Sequence, residues 1–176
     1  MSQDDDIQLI HQSITAGAEA PTDIIERVGI ERTYALISAA LTLAVQRKFH
    51  PTATVDDIAA FATDLPKRFD DDDIDPKIAE AVIRGARGEL AELHSLSNGE
   101  IVGMMFLVTN AIMSEENLEG EDLVEFINDV LETVDAETRL PFLGLIQHRA
   151  APFSLECGCQ LLASVHGQQR HGLFRR

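Results

Sequence analysis

The sequence predicts an all-α protein, a single compact multi-helix bundle of about eight or nine helices. Three observations predict it. Apolar residues recur with a period near 3.6 along most of the chain, no stretch alternates with period two for long enough to make a strand, and cap signals with short turns separate the periodic runs. The 176 residues are 45% hydrophobic and 25% charged, a globular balance for one core. Residues 1–168 are therefore expected to form a single helical domain, and 169–176 a basic, flexible C-terminal tail.

Asp4, Asp5 and Asp6 precede Ile7, Ile10 and Ile14, so a first helix opens with acidic residues at the positive end of its dipole, and Gly17 supplies its exit. Thr22 caps a short helix through Ile24, Ile25 and Val28 that stops at Gly29. Residues 30–48 continue as a helix through Leu36, Ile37, Leu41 and Val45, which the His50-Pro51 step ends. Thr54-x-x-Asp57 resembles a capping box for a helix through Ile58, Phe61 and Leu65. Pro66 should close that helix, ahead of the acidic loop 70–73.

Asp75-Pro76 is a good cap and first-turn pair, and Ile78, Ala81, Val82, Ala86, Leu90 and Leu93 mark one face of the helix that follows, with Glu80 and Arg84 paired on the other. Ser97-x-x-Glu100 is a capping box leading into the nearly all-apolar run 101–113, and a helix apolar all round belongs in the centre. Gly120 separates it from a helix with the stripe Leu123, Phe126, Ile127, Val130, Leu131 and Val134. Two further segments, 140–146 and 155–165, lie around Pro141 and Pro152. A shift of 65 residues lays Asp57, Phe61 and Asp64 on Asp122, Phe126 and Asp129, which suggests an internal two-fold repeat of apolar helix, loop and amphipathic helix. These three are the identities among the 35 aligned pairs, so the repeat is a hint about topology.

The charge excludes more chemistry than the motifs supply. With 14 Lys and Arg against 30 Asp and Glu, the net charge of −16 argues against direct nucleic-acid binding, which rests on cationic side chains facing phosphate. The common phosphate-binding loops, the nucleophile elbow and the His-Glu-x-x-His zinc motif are missing, and none of the six histidines has Glu three residues before it, as a di-iron bundle needs. No nucleophile stands beside an evident base, so the reading leans away from an enzyme. No apolar run approaches the ~20 residues of a membrane span, and the first residues carry neither a basic nor an apolar leader region. Cys157 and Cys159 cannot join distant segments, which fits a reducing, cytoplasmic setting. Three Lys against eleven Arg suggest a prokaryotic source of GC-rich or salt-adapted type.

Two clusters offer metal chemistry. Cys157, Cys159, His166 and His171 are the borderline-soft ligands a zinc site would use, although in a helix the two thiols point about 200° apart and no single ion reaches all four. No cofactor is expected, and zinc is the one metal these residues would suit. Asp70 to Asp73 and Asp75 place five carboxylates in six positions, but Pro76 stands where a calcium loop needs Gly.

The most unusual feature is the helix of the 120s, whose polar face carries Glu121, Asp122, Glu125, Asn128, Asp129 and Glu132 with no Lys or Arg. Like charges at i, i+4 repel by a few tenths of a kcal/mol, so packing of the opposite face must hold this helix. Glu121, Asp122, Glu125, Asp129 and Glu132 are the candidate docking face for a basic protein partner, whose approach such a field accelerates. The expected function is that of a non-catalytic adaptor or regulator presenting an acidic surface. The alternatives are a metal-binding or small-molecule-binding protein using the Cys/His segment or the Asp-rich loop, and a nucleic-acid mimic.

Residues 1–138 carry −20 and residues 139–176 carry +4, so the basic tail is expected to fold back on the acidic body. Asn110, expected at core depth with Thr109, Ser38 and Thr42, requires an interhelical hydrogen bond or an interface, so a homo-oligomer is compatible with the sequence. Met104, Met105 and Met113 read as core filler. The Ile/Leu/Met-rich helix, acidic turn and acidic amphipathic helix of residues 101–134 resemble the tellurite-resistance TerB-like helical proteins. Where that family has an Asp-Gly step after its apolar helix, this chain has Ser114-Glu115-Glu116-Asn117, so no functional residue carries over.

Overall fold

A computed structural model describes residues 3–15 and 22–136. They form seven α-helices, α1 Gln3–Thr15, α2 Thr22–Val28, α3 Ile30–Lys48, α4 Val55–Phe69, α5 Pro76–Ala86, α6 Asn98–Glu116 and α7 Gly120–Asp135, with one 3-10 turn at Glu92–Ser95 and no strand among the described residues. The all-α expectation holds. The segments 140–146 and 155–165, the tail 169–176, and Gly17 lie outside the described residues.

α3 and α6 pack together most extensively and form the centre, because both are rich in apolar and small residues. α1 and α5 each touch both of them, α4 lies on α5, α2 on α1 and α3, and α7 on α3 and the edge of α1. Leu36, Ile37, Leu41, Ile101, Met105, Val108 and Ile112 are buried along the central pair. Met104 and Met113 are buried beside them, as filler should be. α6 is not covered all round: Val102, Gly103 and Leu107 are half-buried. No helix among the described residues is long and apolar enough to cross a membrane.

Both predicted capping boxes are present. Thr54 and Asp57 exchange bonds at the start of α4, as do Ser97 and Glu100 at the start of α6. The Thr54 backbone and hydroxyl hold the Asp57 carboxyl below the usual aspartate range, and the Ser97 hydroxyl and backbone do the same for Glu100.

Two boundaries differ from the sequence reading. α4 runs through Pro66 to Phe69, because a proline in the last turn forfeits one hydrogen bond while its own carbonyl still accepts from the Asp70 and Asp71 N–H groups. α5 stops at Ala86 instead of continuing past Leu93. Gly88, at φ 96°, turns the chain so that its N–H reaches the Gly85 carbonyl and the Glu89 N–H reaches that of Arg84, a Schellman closure that few other residues allow. Leu93 is buried from the 3-10 turn rather than from the helix. The proposed repeat holds for element order and not for packing: α4 and α7 open 65 residues apart, yet α7 rests on α3 whereas α4 rests on α5.

α1, α6 and α7 have no basic residue in their last turns, and side chains of other helices bond there instead, to a carbonyl in α1 and to the Glu115 and Asp135 carboxylates in α6 and α7. The Asn110 amide of α6 donates to the Ile14 carbonyl of α1 at 2.6 Å. Asn110 is 5% exposed, and this bond gives its buried amide a partner within the chain. Thr42 and Thr109 hydroxyls bond back one turn, to the Ser38 and Met105 carbonyls. Ser38 departs from that pattern, and its buried hydroxyl has no hydrogen-bond partner. Asn110→Ala is expected to cost about 1–3 kcal/mol in urea unfolding. A loss under about 0.5 kcal/mol would show that water replaces the amide without penalty.

The end of α6 is served by Lys48 of α3 and Arg68 of α4, both bonded to Glu115, with Lys48 Nζ at 2.5 Å. Arg68 also stacks 4.9 Å over the Phe61 ring. Burial pushes the Glu115 carboxyl up, but the hydrogen bonds and charges of Lys48 and Arg68 outweigh it, leaving the group below the usual glutamate range. A depressed folded pKa contributes stability that is present above the unfolded value and lost as pH falls through the folded one. The stability gap between wild type and Glu115→Gln should therefore be full at neutral pH and close below pH ~4, measured as urea midpoints across that range. A gap independent of pH would reject the charge-based account.

Candidate functional site

The outer face of α7 is the candidate site, and its geometry begins with the face that is hidden. Leu123, Phe126, Ile127, Val130 and Leu131 are buried, so the register places Glu121, Glu125, Asn128 and Glu132 along the opposite, exposed side. Asp122 and Val124 are also exposed, on the two flanks of that line. Val124 is 57% exposed, an apolar foothold within an acidic row. The first-turn acids Glu121 and Asp122 favour the positive end of the α7 dipole, which offsets part of their repulsion.

Four of the five residues expected in the docking face behave as one surface. Glu121, Asp122, Glu125 and Glu132 are exposed and make no ion pair among the described residues. Asp129 differs from them in being half-buried and paired. Its carboxylate lies 3.4 Å from Arg47 of α3, whose guanidinium also sits 5.0 Å over the buried Phe126 ring. At the end of the helix Arg32 of α3 holds Asp135 at 2.8 Å. Pairing the first turn of α3 with the last turn of α7, and the last turn of α3 with the middle of α7, makes the two helices run in opposite directions.

The cations that α7 lacks are thus lent by α3. The expected repulsion between Glu125 and Asp129 is relieved by Arg47, while that between Glu121 and Glu125 remains. Exposed Glu116 and Glu119 carry the acidic run back through the turn before α7, a continuation that the residue order alone made visible and the sequence reading left out.

The Asp-rich loop does not converge. Asp71 accepts the Asp73 N–H at 2.9 Å and Asp75 accepts the Lys77 N–H at 2.8 Å, so these two carboxylates serve a turn and the cap of α5. No three His, Cys, Asp or Glu side chains among the described residues form a group able to hold a metal ion. Cys157, Cys159, His166 and His171 lie outside the described residues. No protein-family model matches the chain, and neither a curated protein nor a solved structure matches it.

Proposed function

We propose that the chain is a non-catalytic adaptor or regulator, working in the cytoplasm, that presents the outer face of α7 to a basic segment of a protein partner. The observation that carries this reading is the distribution of ion pairs. Each of the six arginines among the described residues is bonded to a carboxylate or, for Arg87, to the Pro51 and Ala53 carbonyls. Among the described residues, Glu121, Asp122, Glu125 and Glu132 have no such cation, on a helix whose other face is anchored in the core. Exposed carboxylates on a fixed helix need little reorganisation to meet a cation, and their summed field speeds encounter.

The test is fluorescence anisotropy with a labelled arginine-rich peptide and a neutral peptide of equal length. Wild-type protein should bind the basic peptide in preference, with affinity falling as salt rises, and the variant Glu121→Lys/Glu125→Lys/Glu132→Lys should bind it at least about tenfold more weakly. Equal binding by the variant, or no preference for the basic peptide, would overturn the reading.

A further inference from the structure

We draw no further inference here: the strongest candidate, the acidic row on the outer face of α7, belongs to the site already described and has no bound group or buried unpartnered side chain aimed into it that would name its ligand more closely.

Discussion

Arg32→Met should lower the unfolding free energy by about 3–5 kcal/mol, the cost of stranding a buried charge. Arg32 Nε and Nη2 both donate to one oxygen of Asp6, at 3.1 and 2.9 Å, and Nη2 also reaches Asp135. Asp6 is 5% exposed and its other oxygen, Oδ1, has no hydrogen-bond partner. Its carboxylate therefore depends on this guanidinium for its countercharge, and methionine fills the space without supplying any. The double variant Asp6→Leu/Arg32→Met should recover most of the loss, since an apolar pair removes the desolvation cost of both ions. Urea unfolding of the three proteins reads the result. A single-variant loss under about 1 kcal/mol, the value of an exposed pair, would mean that water reaches Asp6.

Phe126→Ala should cost about 3–5 kcal/mol, the range for a buried phenylalanine that leaves a cavity. Phe126 heads the fully buried side chains by volume, lies at the centre of the inner face of α7, and is the ring beneath Arg47. Its removal deletes apolar contact with α3 and the platform that aims Arg47 at Asp129. Because no cation among the described residues pairs with Glu121 or Glu125, packing is the main term that holds α7 down. Backbone amides of α7 should therefore exchange faster than those of α6 in the variant, and the melting temperature should fall by about 2–4 °C for each kcal/mol lost. Phe126→Leu, nearer in volume, should cost less than about 1.5 kcal/mol. Uniform acceleration of exchange across both helices would show instead that α7 does not open separately.

The same substitution separates the stability of α7 from its surface role. Phe126→Ala should weaken binding of the basic peptide by loosening the helix, whereas Glu121→Lys/Glu125→Lys/Glu132→Lys should weaken it with the inner face intact. The charge reversals touch exposed positions, where effects on stability stay near 0.5 kcal/mol.

Much of the helix pattern was legible because it depends on neighbours in sequence. The boxes at Thr54 and Ser97, the Asp75-Pro76 start and the core stripe of α7 each follow from contacts within four residues. The end of α5 was misread although Gly88 was in plain view, because Leu90 and Leu93 extend the apolar period past the glycine that breaks it. Pro66 was misread in the other direction: its cost depends on how many turns follow, and only one does. The acidic face was legible as a row of residue types, but the pairing of Asp129 with Arg47, 82 positions away, was not.

What this sequence determined by itself is the helical class, most cap positions, the core stripe of α7 and the excess of carboxylates, all of which are set by spacing and composition. Tertiary structure decided which carboxylates among the described residues are paired. Asp6, Asp129 and Asp135 take arginines from α3, and Glu115 takes Lys48 and Arg68, because packing brings these partners within 4 Å, a separation at which a unit pair interacts several-fold more strongly than across a screening length of solvent.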